Sequence, residues 1–339
     1  MGKTCGYLQV LFLAWGLVDL GYCADSVWVR QEDGSPKRRV GTIVDYQGDF
    51  LYLKHSGPRP ERIPADRVVR VETSYGVAHQ QAEVAFEARR FDEAQTRFRE
   101  AMKAESREWV QRAELAKSIW CDRNLGHDAA AADQFMILAR HDEKLLHLDA
   151  APIHWKTRPM NSAMQIWAKE NLKEESKPVA RLIACSWLLG SPGRAEAQRT
   201  LQQLTMTPEP RIAILARMQQ WRALWPANSN PPLADAANRL ETLPEALRQG
   251  GCFVIGSAYE RQKDPTHASI WFLRSAFLYP HHVELAAESL WRAAAVMEKY
   301  GNASESRRLY QEIVNRYPQH EYARRTQRES KLSPERKPD

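Results

Sequence analysis

The spacing of apolar residues changes once along this chain, near Ser74, and that change divides what the chain can fold into. From Ser26 to about Thr73, apolar and polar residues alternate. Beyond Ser74, apolar residues return every three to four positions. The first period is that of a half-buried strand, the second that of an amphipathic helix. The sequence therefore predicts a mainly helical protein with a small β module in front.

In the β module, Val27-Trp28-Val29 reads as a first strand and Val40 to Tyr46 as a second. The turn Gln47-Gly48-Asp49 leads straight into Phe50-Leu51-Tyr52-Leu53, which makes a hairpin. Short strands at Arg62-Ile63 and Val68-Val69-Arg70-Val71 follow, separated by Pro64-Ala65-Asp66. So few short strands expose long edges unless the sheet closes on itself, so a small barrel is expected.

The first residues are of another kind. Lys3 precedes a nearly unbroken apolar run from Tyr7 to Val18, shorter than the roughly 20 residues a bilayer span needs. Its length is that of a secretory leader. Gly21 and Cys23 supply the small residues for a cut before Ala24. Tyr22 is too bulky for the position before a lipidated cysteine, which disfavours a lipid anchor at Cys23. The expectation is an exported chain, periplasmic or extracellular, with no transmembrane helix after the leader. Of five cysteines, Cys121, Cys185 and Cys252 remain beyond it. An odd, widely spaced set in helical context predicts core thiols rather than a disulfide framework.

The helical part repeats. Ala94, Phe98 and Ala101 lie on the second helix of one pair. Gly256 and Tyr259, then Ala268 and Phe272, then Pro280 mark another. Ala294, Gly301-Asn302, Tyr310 and Pro318 mark a third. Small residues let helices approach, aromatics fill the space between pairs, and proline ends a helix. These spacings resemble the tetratricopeptide repeat, although Ser106 stands where proline is usual and the last two prolines are farther apart than the standard ~34 residues. The β stretch Gly41 to Leu53 followed by Ile63-Pro64-Ala65-Asp66-Arg67-Val68 is similar to small SH3-like modules of exported bacterial proteins. The stretch from about Trp109 to Leu247 keeps a helix–turn–helix rhythm with helices at 109–124, 129–140, 161–175, 178–189, 195–204 and 211–224, but fits the repeat poorly. One degenerate α-α superhelix and two shorter arrays joined near 226–232 both satisfy the pattern. The expected organisation is thus a leader at 1–23, an SH3-like module at 24–75, tetratricopeptide-like repeats at 76–322 and a charged, disordered tail at 323–339.

No glycine-rich phosphate loop, Cys-x-x-Cys or His-Glu-x-x-His occurs, so neither a cofactor, a metal nor catalytic residues are expected. His281-His282 with Glu284 reads as a solvated turn. The net charge of +6 is spread as alternating Arg and Glu, as in Phe98-Arg99-Glu100, rather than gathered in the stripe a nucleic-acid binder shows. Trp109, Trp120, Trp167, Trp187, Trp221, Trp271 and Trp291 recur at helical positions and are expected in the core.

The resemblance implies a groove lined by the first helix of each pair. Transferred to this chain, the groove positions are Glu83 and Phe86; Phe253, Ser257 and Glu260; and Trp291 and Glu298. The expectation is a non-enzymatic scaffold of the bacterial cell envelope or periplasm that binds protein or peptide segments there. The alternative is an envelope glycan- or polymer-binding protein that uses the β module, with the helices as spacer.

Overall fold

The structure, a computed structural model, describes residues 24–142, 144–224, 232–279 and 282–332. The expected leader, Pro280, His281, the break near 226–232 and the end of the tail lie at least partly outside these residues.

Five antiparallel strands come first: β1 (Asp25–Arg30), β2 (Pro36–Gln47), β3 (Phe50–Lys54), β4 (Glu61–Pro64) and β5 (Val68–Glu72), in the order β4-β3-β2-β1-β5. A 3-10 turn, Ala65–Arg67, joins β4 to β5. The alternation works as read, because Val27, Val29, Ile43, Leu51, Leu53 and Ile63 form one buried cluster. The closed barrel expected from the sequence is not formed. β4 and β5 are the two edges of an open sheet. The core is completed instead by Trp109 and Val110 from the third helix. Arg107 ties the junction down, donating to Thr73 Oγ1 at 2.6 Å and to the Ser74 carbonyl at 2.8 Å. The boundary at 75 therefore cuts through a shared core. A fragment of residues 24–75 is expected to stay unfolded, shown by a collapsed amide proton spectrum. A dispersed spectrum from that fragment would refute the shared core.

Fourteen helices follow among the described residues. They are α1 (Val77–Glu87), α2 (Phe91–Ala104), α3 (Glu108–Leu125), α4 (Asp128–His141), α5 (Ser162–Asn171), α6 (Pro178–Leu188) and α7 (Arg194–Leu204). Then come α8 (Pro210–Leu224), α9 (Leu233–Glu241), α10 (Gln249–Arg261), α11 (Pro265–Leu273), α12 (Val283–Lys299), α13 (Ala303–Arg316) and α14 (Glu321–Leu332). The last corrects the expected disordered tail. The chain stays helical to Leu332, because Tyr322 and Ala323 pack into the cluster around Ile313 and Tyr317.

Four helix pairs share one turn. Between α1 and α2, α3 and α4, α10 and α11, and α12 and α13, a single residue takes the left-handed conformation: Arg89 (φ 58), Gly126 (φ 79), Lys263 (φ 60) and Gly301 (φ 91). In each, the next amide reaches back five residues, as Arg90 N does to Ala85 O (2.8 Å) and Asp264 N to Tyr259 O (3.0 Å). This closes the free carbonyls at a helix end and favours glycine. Lys263 is exposed and pays the left-handed strain that Gly126 and Gly301 avoid. Lys263→Gly is expected to stabilise the protein by about 1 kcal/mol, raising Tm by about 2 °C. A lower Tm would contradict it.

Among the positions expected to pack, several lie in the core. Ala94, Phe98, Ala101, Ala268, Phe272 and Ala294 are buried. Tyr259 stacks on His267 with ring centroids 4.9 Å apart. A Cβ added at Gly256 would come within 2.9 Å of Phe272, which is why that site holds glycine. Pro318 is exposed just beyond α13. Six of the seven helical tryptophans are core, and Trp291 is partly buried. Cys121, Cys185 and Cys252 are free and buried, and burial pushes each thiol up to about 12.

One stretch has no counterpart in the sequence reading. After α4 the chain makes a 3-10 turn at Leu148–Ala150 and then runs irregularly through the interior, with Leu148 and Ala150 to Trp155 buried. Six helices hold this strap. From α3, Arg123 donates to the Asp149 carbonyl at 2.8 Å. Asp128 of α4 stands 3.1 Å from His154 Nε2. On α6, Ser186 Oγ accepts from the His154 amide at 3.0 Å, and Trp187 donates to the Pro152 carbonyl at 2.8 Å. Gln219 and Arg222 of α8 both donate to the His154 carbonyl. Trp155 lies on Gly250 of α10, and Lys156 pairs with Glu284 (2.6 Å) and Glu288 (2.8 Å) of α12. A buried stretch without its own ladder needs such partners for its amides and carbonyls.

Candidate functional site

The seven residues expected to line one groove fall into three local clusters, each met by a cation from a neighbouring helix. Glu83 and Phe86 of α1 meet Lys117 of α3, whose Nζ lies 3.3 Å from Glu83 Oε2 and 4.6 Å from the centre of the Phe86 ring. Phe253, Ser257 and Glu260 of α10 meet Arg292 of α12. That guanidinium donates to Ser257 Oγ at 2.6 Å, pairs with Glu260 and lies 5.2 Å from the Phe253 ring. Trp291 is flanked by Tyr310 of α13, Tyr322 of α14 and Arg325, whose guanidinium lies 4.7 Å over its ring. Glu298 accepts from Tyr310 at 3.3 Å.

The structure thus corrects part of the expected contact surface. Phe253 is only 4% exposed and packs on Phe272, so it is core and offers no face to a partner. Ser257 is buried with it, and Glu260 is engaged by Arg292. Trp291 stacks on Tyr322 of α14, a helix that runs on into the stretch expected to be disordered at 323–339. His282, expected in a solvated turn, caps α12 by accepting from Leu285 N at 3.2 Å and packs edge-on to Trp120. Burial and the nearby Arg123 and Arg158 hold its imidazole well below the usual histidine range.

What remains open lies elsewhere. A cleft of about 540 Å³ runs between α1 and α3. Tyr75 and His79 form one wall, their rings stacked with centroids 3.7 Å apart. His79 Nδ1 is held 3.1 Å from the buried Glu114. Glu83 and Lys117 supply opposite charges, Ala113 and Ala116 the floor, and Asp149 of the strap the far end. A larger cleft, about 800 Å³, opens where the α1–α2 turn meets the α13–α14 turn. There the Arg89 guanidinium lies 4.2 Å over the buried Tyr317 ring.

These surfaces combine aromatic walls with paired charges, which suits holding an extended chain by its side chains and amides. Among the described residues, no group of three His, Cys, Asp or Glu stands close enough to hold a metal ion. No helix among them is long and apolar enough to cross a membrane. Glu83 was legible in the sequence as a cleft residue. Tyr75, His79 and Asp149 were not, because they come from a linker, a face turned toward α3 and an aperiodic strap. No family model matches the chain, and neither does any curated protein.

Proposed function

We propose that the chain is a non-enzymatic interaction scaffold of the bacterial cell envelope or periplasm, built from tetratricopeptide-type helix pairs, that holds a partner segment in the cleft between α1 and α3. The observation that carries this reading is the contrast between two inner surfaces. The surface of α6, α8, α10 and α12 is occupied by the chain's own strap. The one between α1 and α3, first helices of two successive pairs, is open and keeps Glu83 and Lys117 at its mouth. The shared left-handed turn of four pairs supports the repeat reading.

Ala113 on the cleft floor is the place to test it. Ala113→Arg fills the cleft from a partly exposed position and replaces no buried side chain. Proteins that co-purify with the wild-type chain from envelope extract are expected to be lost with this variant, at unchanged Tm. Retention of the same partners by the blocked chain would end the assignment.

A second reading, binding of an envelope glycan or polymer by the sheet with the helices as spacer, draws on the arginine-rich outward face of β5-β1-β2. Retention of the whole chain on cell-wall material, lost when Arg38 is replaced by Glu, is its expected signature.

A further inference from the structure

The sheet order places β1 between β5 and β2. Residues directly opposite one another share a face. Trp28 is opposed by Arg38 on β2 and by Arg70 on β5, while Ser26 is opposed by Val40 and Glu72. Val27 and Val29 point the other way, into the core with Trp109 and Val110. The outward face therefore carries a tryptophan between two arginines. Arg30 lies two residues on, and Arg67 joins it by donating to the Arg30 carbonyl at 3.0 Å. A bulge after Trp28 leaves Val69 as an extra residue, 51% exposed, and Val40 is 46% exposed.

Two features set this face apart. Arginines at the sheet–helix junction meet carboxylates, as Arg107 meets Glu105 and Arg112 meets Asp45. On the outward face only Arg70 does, with Glu72 at 2.9 Å. Arg30, Arg38 and Arg67 have no carboxylate within ion-pair distance among the described residues. The second feature is the exposed valines. Val40 on β2 and Val69 on β5 flank β1, so exposed apolar side chains stand among the cations of this face. A polysaccharide or nucleic acid would meet the arginines but gain nothing from Val40 and Val69. At a bilayer surface both exposed kinds of side chain are satisfied, arginines by anionic headgroups and valines by the acyl boundary, while the half-buried Trp28 keeps its indole N–H inside the fold.

We propose that the outward face of β5-β1-β2 docks on a membrane surface bearing anionic phospholipid headgroups. The helices pack against the opposite side of this sheet through Trp109 and Val110, so the docked protein holds them toward water.

Vesicle co-sedimentation tests it, using the chain from Ala24 onward, which contains every described element and lacks the apolar run at 7–18. The chain is expected to sediment with phosphatidylcholine vesicles containing phosphatidylglycerol, not with phosphatidylcholine alone, and to release as salt rises. Arg30→Glu with Arg38→Glu is expected to weaken partition at least about thirtyfold. Because Arg38 also bonds Ser26, Arg30→Glu alone serves as the second variant, with an expected loss of about fivefold. Val40→Ser with Val69→Ser is expected to make binding more easily reversed by salt. Equal binding by the charge-reversed and native chains overturns the proposal, as does absence of phosphatidylglycerol-dependent sedimentation. Arginine-dependent binding of polygalacturonate or single-stranded DNA without binding to vesicles overturns it too, and assigns the face to a soluble polyanion.

Discussion

Replacing Gly250 by alanine is expected to destabilise the protein by about 3–5 kcal/mol, an effect normally seen only when a large core side chain is deleted. A Cβ at this point of α10 would fall inside the indole of Trp155. In most cores a neighbour yields by a few tenths of an ångström. Trp155 has nowhere to go, because its flanking residues are fixed on both sides. His154 is held through its amide by Ser186 and through its carbonyl by Gln219 and Arg222. Lys156 is clamped between Glu284 and Glu288. The indole must leave its site, and its burial against α10 is lost. The two residues are therefore coupled. Trp155→Ala alone is expected to cost a similar amount, and Gly250→Ala added to it little more, since the new methyl then enters the vacated space. Urea unfolding of the two single variants and the double variant measures this. A cost below about 1 kcal/mol for Gly250→Ala, or simple additivity in the double variant, would show that the strap is not seated on α10.

That strap marks the limit of what the sequence could reveal. Helices were legible wherever burial is one-sided and local, because the period of apolar residues records it. The expected helix at 178–189 is α6, and that at 211–224 is α8. Gly256 and Phe272 could be placed on successive helices of one pair from spacing, and the structure sets them in contact. Ala150-Ala151-Pro152-Ile153-His154-Trp155 has no period because it is buried on all sides by helices distant in sequence. Its order comes from backbone bonds to Ser186, Gln219 and Arg222, which leave no pattern in the segment itself. The β module failed for a related reason. Its exposed strand edges pointed to a closed barrel, whereas the sheet stays open and Trp109 and Val110 complete its core from α3. Groove positions taken from the first helix of each pair assume that this face is open. Whether it is open depends on Arg292 and on Tyr322 and Arg325 of α14, none of which the position rule consults.

The interior around the strap also makes stability depend on pH near neutrality. Acidifying from about pH 7.5 to about 5.5 is expected to cost about 3 kcal/mol. Three imidazoles, His147, His154 and His282, have their pKa values lowered, in each case chiefly by burial. Asp128 at 3.1 Å opposes the shift of His154, while Arg158 and Arg222 add to it. Arg123, Arg158 and Lys156 add to that of His282. In the unfolded chain these groups take up protons around pH 6.5. Between that value and their lower native values the unfolded state binds more protons, so stability rises with pH there and is lost as pH falls from about 6.5. Each histidine contributes at most about 1.4 kcal/mol per pH unit. Asp128, where burial raises the carboxyl but the His154 hydrogen bond and Arg158 together hold it below its ordinary value, acts in a separate window. Its contribution is present above about pH 4 and lost as pH falls through its native value. Urea unfolding at several pH values gives the proton difference from the slope, and His282→Gln is expected to lower that slope by about one proton. A stability that stays flat from pH 7.5 to about 5.5 would mean that these histidines can protonate in place, and that the packed polar interior built around the strap does not exclude charge.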